Sequence, residues 1–317
     1  MKIKAINKIN YDGDVYNLRI KSEENTNHNY FANDICVSNC HHTVAQSIKT
    51  LTVKSYNAKW KFGMTGSLFK EGTVGSFNIQ AYLGPNVYTL NSHQLIDEGN
   101  ATPVNIIGIE LDYISTEIKK TLYDLRNVET DEKDGAKLLN MEKQIARDER
   151  KRLVYICNTI SKSTKNSLVL FSDIKNNYGR DIYDWLRENT NKTVLYIDGL
   201  TPVENRDNYK KRIEGESDVI IVASIGVFSE GIDILNLHNI YIVESSKSEI
   251  IVRQILGRGM RLMPGKEKIT VFDFSDNFYY TGKNTYQCKN YLMRHASERE
   301  KIYKEKKFPF KKFKVKL

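Results

Sequence analysis

The chain has 317 residues, 40% of them hydrophobic and 27% charged, with a net charge of +9, an ordinary globular composition long enough for two core-forming units. No apolar run approaches the roughly 18–20 residues that span a bilayer, and no charged-then-apolar leader opens the chain, so a cytoplasmic protein without a membrane partner is expected. Cys36, Cys40, Cys157 and Cys288 are too few and too scattered for a disulfide framework.

Residues 2–9 and 14–21 predict two strands about the turn Tyr11-Asp12-Gly13-Asp14, and short strands follow near 29–31 and 35–37. This first unit ends at Asn39. It is too small to bury a core alone and should need a partner segment. Beyond Cys40 the pattern changes to helix alternating with strand: helix 43–54, buried strand 60–64, strand 104–111, then helices 114–126 and 136–163. The last of these is rich in Lys, Arg and Glu and is expected to bridge two domains. From residue 167 the alternation is regular. Strand 168–171 precedes helix 175–189. Strand 193–197 precedes a helix opened by Thr201-Pro202-Val203-Glu204, a capping-box pattern with Pro at the first helical position. Strands 218–223 and 239–243, helix 248–258 and strand 269–274 complete the run. Short apolar strands between helices predict an α/β fold, a parallel sheet covered on both faces. Residues 299–317 carry nine Lys/Arg against Glu300 and Glu305, interleaved with Phe308, Phe310 and Phe313. Such a tail suits phosphate contact plus base stacking, through Lys306, Lys307, Lys311 and Lys312, or else is a solvated charge run.

Residues 28–40 read His-Asn-Tyr-Phe-Ala-Asn-Asp-Ile-Cys-Val-Ser-Asn-Cys. Asn39 can cyclise: its side-chain amide nitrogen attacks its own carbonyl and breaks the bond to Cys40, an intramolecular step that orientation accelerates. His28 is placed to polarise that carbonyl or shuttle the proton. Cys40 offers a thiol that can take over an acyl group and pass it to its own amine. With Val15-Tyr16-Asn17-Leu18-Arg19-Ile20 upstream, the order and spacing resemble the C-terminal splicing region of inteins over residues 1–39. Ser38 stands where many inteins have His. The N-terminal splicing blocks are not in this sequence, so the resemblance implies trans-splicing with a separately encoded half. A zinc reading of Cys36, Cys40, His41 and His42 suffers from the adjacent histidines, which suit a tetrahedral site poorly. A small β-extension with a buried Cys is the plain structural alternative.

Further on, Gln254-Ile255-Leu256-Gly257-Arg258-Gly259-Met260-Arg261 resembles motif VI of superfamily 2 helicases. If helical, Arg258 and Arg261 share a face and could clamp a γ-phosphate, with Gln254 one turn earlier. Residues 223–233, Ala-Ser-Ile-Gly-Val-Phe-Ser-Glu-Gly-Ile-Asp, resemble motif V: the resemblance puts Ser224 on nucleic-acid phosphate, Gly231 at a tight backbone path and Asp233 on a ribose or an arginine. Met64-Thr65-Gly66-Ser67 resembles motif III, with Thr65 and Ser67 coupling hydrolysis to movement, and 168–172 fits the motif IV strand. Such helicases carry Asp-Glu-x-His ahead of motif III. Here Cys40-His41-His42 stands at that distance with no Asp-Glu before it, and no Gly-x-x-x-x-Gly-Lys-Ser/Thr occurs anywhere in the sequence. A partner ending in Asp-Glu would complete the box with His41 and bring the phosphate loop.

From Cys40 to Leu317 the chain looks most like the UvsW-type helicases of tailed phages, which implies ATP- and Mg²⁺-driven remodelling of branched DNA in a bacterial host. The expected organisation is an intein fragment (1–39), the remainder of a first RecA-like domain (40–112), a helical linker (113–165), a complete second RecA-like domain (166–280), and a helix with a basic tail (281–317). The alternative is an ATPase-inactive nucleic-acid-binding module with an inert intein remnant.

Overall fold

The computed structural model describes five short strands within residues 1–70, and then residues 71–317 apart from 114, 129–131, 173–176, 232–233, 246–248 and 281–288. The chain divides into two units, Met1–Tyr88 and Thr89–Leu317.

In the first unit β1 (Ile20–Lys21) pairs antiparallel with β2 (Thr26–Asn27). A separate sheet has the order β3 (Tyr30–Ala32), β4 (Ile35–Asn39), β5 (Trp60–Met64). β3 and β4 are antiparallel, and β4 and β5 parallel. The strands expected near 29–31, 35–37 and 60–64 are therefore present. The strand expected at 2–9, nearly all of that at 14–21, and the helix at 43–54 lie outside the described residues. Helix α1 (Val74–Leu83) was not foreseen; the Thr73 side chain accepts from the Ser76 N–H at its start.

The second unit is built on a seven-stranded sheet. In chain order its strands are β6 (Val104–Asp112), β7 (Ser167–Phe171), β8 (Val194–Ile197), β9 (Ile220–Ser224), β10 (Asn239–Ile242), β11 (Ile269–Asn277) and β12 (Phe310–Lys316). Their spatial order is β12-β6-β11-β10-β7-β9-β8, with every pairing parallel. Strand residues alternate between two apolar layers. Leu168, Leu170, Ile221, Ala223, Ile240 and Ile242 belong to one. Val169, Phe171, Ile220, Val222, Tyr241 and Val243 belong to the other. Helix α2 (Ser92–Asp97) precedes β6, and α3 (Thr116–Val128), α4 (Glu132–Asp148), α5 (Arg150–Ser161) and α6 (Tyr178–Asn189) follow it; Leu122, Leu138, Ile156 and Leu186 from these four join the second layer. Helices α7 (Val203–Gly215), α9 (Glu249–Gly259) and α10 (Tyr291–Glu305) contribute Ile213, Ile255 and Ile302 to the first. The short α8 (Ile225–Gly231) lies between β9 and β10 in sequence.

Several expectations are corrected here. Strand β6 does not close a first domain at residue 112: it lies between β11 and β12 in the second unit's sheet, in register with β11 over nine residues. Residues 113–165 are not a helical linker between two domains, since α3, α4 and α5 bury Leu122, Leu138, Leu153, Ile156 and Ile160 in the second unit's own core. The single helix expected over 136–163 is two, broken at Glu149, whose extended backbone and side chain cap the Lys151 N–H at 3.0 Å. The capping box at Thr201 does not form. The Thr201 hydroxyl bonds to Asp198 instead, and Pro202 is the N-cap rather than the first helical residue. Finally, the basic tail ends in β12, an edge strand.

Helix α5 is fastened to the sheet through one buried charge. Arg152, 1% exposed, donates from Nε to Asp276 Oδ1 at 2.7 Å and from Nη2 to Asp276 Oδ2 at 3.0 Å and the Val243 carbonyl at 2.7 Å. Nη1 meets the Tyr178 hydroxyl, and Tyr113 donates to Asp276 Oδ1 at 2.8 Å. A buried pair broken on one side leaves an uncompensated charge. Arg152→Met should therefore lower unfolding free energy by about 3–5 kcal/mol in urea titrations, whereas Phe313→Ala on the exposed edge strand should change it by less than about 0.5 kcal/mol. A loss below about 1 kcal/mol for Arg152→Met would mean that Asp276 is satisfied without it.

Candidate nucleotide and nucleic-acid site

In a parallel α/β sheet, ligands gather outside the carboxyl ends of the strands. Along that edge here lie Ser224 ending β9, α8 directly after it, Ser172 after β7 and Glu244 after β10. Two of the helicase-like motifs meet there. Arg258 of α9 places its guanidinium 5.6 Å from the ring centroid of Phe228 in α8, a cation–π contact that sets motif VI against motif V. Arg258 is half-buried, and burial pushes its guanidinium below the ordinary value; burial does the same at Arg261.

The expectation that both arginines ride one helical face is corrected. Helix α9 ends at Gly259, so Arg261 stands in the turn beyond it, its N–H reaching the Arg258 carbonyl at 3.4 Å. Close packing explains why Gly occupies 259. A Cβ there would lie 2.3 Å from the Ile269 Cδ1 and 3.0 Å from the Ile240 Cδ1, so a side chain would force these buried isoleucines or the helix end to shift. Gln254 is half-buried one turn before Arg258.

Ser224 is 3% exposed, and its Oγ has no hydrogen-bond partner. A buried hydroxyl without a partner is uncommon and calls for an explanation; position and chemistry fit a donor held for a phosphate. Gly231 ends α8. Asp233, His28, Cys40, His41, Thr65 and Ser67 lie outside the described residues, and Asn39 is described as the last residue of β4.

The tail residues part company. Lys312 reaches Glu110 at 2.8 Å, and Lys314 reaches Asp112 at 3.2 Å. Burial raises the Glu110 carboxyl, but hydrogen bonds from Lys312 and Asn277 outweigh it and hold the group below its ordinary value. Lys312 thus has a carboxylate to satisfy it before any phosphate arrives. Lys311 and Lys307 are exposed, Lys307 with a positive φ of 54°, and Lys306 is half-buried at the end of α10. Arg299, counted in the same charge run, is buried against Asp273 with Nη2–Oδ1 at 2.6 Å.

Two residues that the motifs did not mark shape the edge. Glu244, 5% exposed, accepts from Arg147 Nε at 2.6 Å and from the Ser172 hydroxyl at 2.9 Å, tying the end of β7 to the end of β10. Lys266, 8% exposed, donates to the carbonyls of Gly259 at 2.7 Å, Arg261 at 3.1 Å and Leu235 at 3.2 Å. It satisfies orphan carbonyls at the end of α9 and thereby fixes the turn bearing Arg261. Its loop, Pro264-Gly265-Lys266, carries no sequence signal for that task.

Burial pushes the Lys266 ammonium from 10.5 down to about 8. Between those values the unfolded chain binds more protons at this residue than the folded chain, so its contribution to stability rises with pH across that window. Relative to Lys266→Met, the wild-type unfolding free energy should increase from pH 8 toward pH 10. Chemical denaturation of both proteins at matched pH reads the difference, and a flat or falling one would show the amine unperturbed.

The comparisons agree with this geometry. The helicase conserved C-terminal domain family matches residues 138–263. The ATP-dependent DNA helicase uvsW of Enterobacteria phage T4 is 29% identical over 279 residues, 86% of this chain and 52% of the relative. The crystal structure of T4 UvsW matches with a TM-score of 0.53 at 24% identity, covering 88% of this chain and 53% of that one. Saccharomyces cerevisiae Dbp5 bound to RNA and ADP BeF3 matches with a TM-score of 0.50 at 13% identity, covering 89% of this chain and 59% of that one. The chain thus spans about half the length of these proteins. Among the described residues no helix is long and apolar enough to cross a membrane. Residues 138–263 match the helicase conserved C-terminal domain family, the second unit's sheet is parallel and RecA-like, and the chain is similar to the phage T4 DNA helicase.

Proposed function

We propose that this chain is the C-terminal half of an ATP-dependent superfamily 2 DNA helicase acting on branched DNA in replication, recombination and repair, delivered as a precursor whose first 39 residues are a split-intein fragment. The observation that carries the helicase reading is the contact between motifs V and VI at the carboxyl edge of the sheet, Arg258 over Phe228, in a relative of the phage T4 helicase. The setting is the cytoplasm of a phage-infected bacterium.

The residues present fit part of an ATP site. Arg258 is a half-buried cation whose charge burial disfavours, a penalty that an anionic phosphate would offset, and the exposed Arg261 is shifted in the same direction. Bound ATP and Mg²⁺ supply the phosphoryl group to be transferred and the cation that neutralises it. No group of three or more His, Cys, Asp or Glu side chains able to hold a metal occurs among the described residues, and the sequence has no phosphate loop. In this reading the partner half brings both. Arg258 and Arg261 would then hold the charge developing on the terminal phosphate, Gln254 would orient beside them, Ser224 with the exposed lysines 307 and 311 would bind DNA phosphate, and Lys306 would support them.

Splicing would proceed at Asn39. Its amide nitrogen closes on its own carbonyl carbon, the 39–40 peptide bond breaks, and the Cys40 amine leaves with a proton that His28 can relay. Before that, the Cys40 thiolate would take the partner's acyl group from the partner's own splicing nucleophile, which is expelled; once the Cys40 amine is free, the acyl group would shift from sulfur to nitrogen as an ordinary peptide bond. Ser38 in place of the common His bears on the rate of Asn39 cyclisation. The competing reading keeps the chain as an ATPase-inactive nucleic-acid-binding module. It is favoured by the exposed Lys307 and Lys311, which can meet a phosphate backbone without any ATP site.

Peptide mass spectrometry on the protein from its infected host separates these readings. Trypsin releases residues 22–49 as one peptide from the precursor, because no Lys or Arg lies between those cut sites. Trans-splicing should replace it with residues 40–49 joined to foreign sequence ending in Asp-Glu. Recovery of the 22–49 peptide alone would hand the lead to the binding module. Asn39→Ala should block release at the downstream junction while leaving the second unit folded; normal ligation in that variant would overturn the intein assignment. In the ligated product Arg258→Ala should lower ATP turnover by about 10³-fold or more with DNA binding retained in an anisotropy titration, and unchanged turnover would remove Arg258 from the phosphate.

A further inference from the structure

The first unit joins the two halves of the molecule in an unexpected way. β4 (Ile35–Asn39) is the last segment before the splice junction, and β5 (Trp60–Met64) leads into the motif III residues of the helicase part. The two pair in parallel over five positions, Ile35 with Trp60, Cys36 with Lys61, Val37 with Phe62, Ser38 with Gly63 and Asn39 with Met64. The intein-like segment therefore supplies a ladder partner to a helicase strand. Residues 40–59 connect the strands, and that length is what a parallel crossover needs, a dozen residues or more.

This connection decides what happens on splicing. It begins at Cys40, so whatever chain is joined on the amino side of Cys40 is delivered to the same edge of β5. Before splicing that chain is Ile35–Asn39. Afterwards it is the end of the partner half. The β5 groups that bond to β4 can serve only one of them. The register fixes where the newcomer falls: its last residue opposite Met64 and the one before opposite Gly63. A terminal Asp-Glu would thus occupy the positions that Ser38 and Asn39 hold in the precursor, with apolar residues in place of Ile35, Cys36 and Val37.

We propose that Ile35–Asn39 is a placeholder strand. In the unspliced chain it fills the slot on β5 that belongs to the partner's strand ending in Asp-Glu, and it leaves that slot when splicing replaces it. The proposal rests on the trans-splicing reading above. It gives the precursor a covered β5 in place of an open strand edge, which would otherwise template association with other chains. Splicing then includes a strand exchange as well as bond chemistry.

Amide hydrogen exchange on three chains tests this. The first is residues 1–317 with Asn39→Ala and Cys40→Ala, so that no cleavage occurs. The second begins at residue 40. The third replaces residues 1–39 by the hexapeptide Ile-Leu-Val-Ile-Asp-Glu joined directly to residue 40. Amides of 60–64 should be protected in the first and third chains and at least about tenfold less protected in the second, while β10 stays protected in all three and reports that the second unit is folded. Within the 1–317 chain, Val37→Pro should reduce protection of 60–64, because Pro cannot complete a ladder in a central strand. Equal exchange at 60–64 in the first two chains would overturn the placeholder. Protection in the third chain without protection in the first would show the slot real but unfilled in the precursor, which also overturns it. None of these readouts needs splicing to occur, so a failed intein assignment would appear separately, as ligation persisting in Asn39→Ala.

Discussion

The Arg152–Asp276 pair is the constraint on which the second unit's architecture depends. Asp276 lies near the carboxyl end of β11, and its side chain is met by Arg152 from α5 and by Tyr113 from the end of β6, while Arg152 also holds the Val243 carbonyl and the Tyr178 hydroxyl. One ion pair thus locates a helix, three strand ends and the start of a second helix. Apolar layers alone would let α5 slide along the sheet at small penalty, because its buried residues Leu153, Ile156 and Ile160 are interchangeable in size. A guanidinium with directed hydrogen bonds does not slide. Three positions earlier on β11, Asp273 does the same for α10: it takes Arg299 Nη2 at 2.6 Å and the Tyr303 hydroxyl at 2.7 Å. Both faces of β11 are therefore keyed by a carboxylate, and the edge carrying the candidate site inherits that rigidity.

The excess of positive charge divides along the same lines. Arg152 and Arg299 are consumed in the core, Lys312 and Lys314 in pairing with Glu110 and Asp112, and Lys266 in capping α9. The total of 48 Lys and Arg therefore overstates how many basic side chains are available to a polyanion. The exposed remainder, including Lys307 and Lys311, is what a DNA backbone would meet. The edge strand β12 shows the other use of lysine. Alternating Lys and apolar residues on an open edge discourage pairing with other chains while still permitting the parallel ladder with β6.

Much of this was legible from the residues. Strands β7 to β11 announced themselves as short apolar runs between helices, and motif VI marked its helix to within a residue at each end. Three things were not legible, each for a physical reason. Strand β6 reads like any buried strand, so nothing local says which sheet receives it; only its nine-residue register with β11 does. Strand β12 reads as a charge run because its ladder is made by backbone groups that composition does not report. The end of α9 at Gly259 follows from a close approach to Ile269 and Ile240, a tertiary fact that a helical wheel through Arg261 cannot contain. Glu244 was hidden because its partners Arg147 and Ser172 are distant in sequence, and Lys266 because it bonds to backbone carbonyls, which residue types do not report.

On the trans-splicing reading, a division at Cys40 gains sense from the sheet of the first unit. A chain cut inside a loop would leave two halves with complete strands and little to bring them together. A cut at the end of a strand leaves β5 without the neighbour that its backbone requires, and an unsatisfied ladder edge is both a hazard and a recognition surface. In this chain that edge is met by Ile35–Asn39, the segment that would be excised if the chain splices. A partner's strand would need no affinity of its own for β5 before ligation, because once joined to Cys40 it would compete as part of the same chain, at a high effective concentration. Bond formation would thus precede and drive the exchange, and the completed first domain would assemble only in the ligated product, where the phosphate loop is also present.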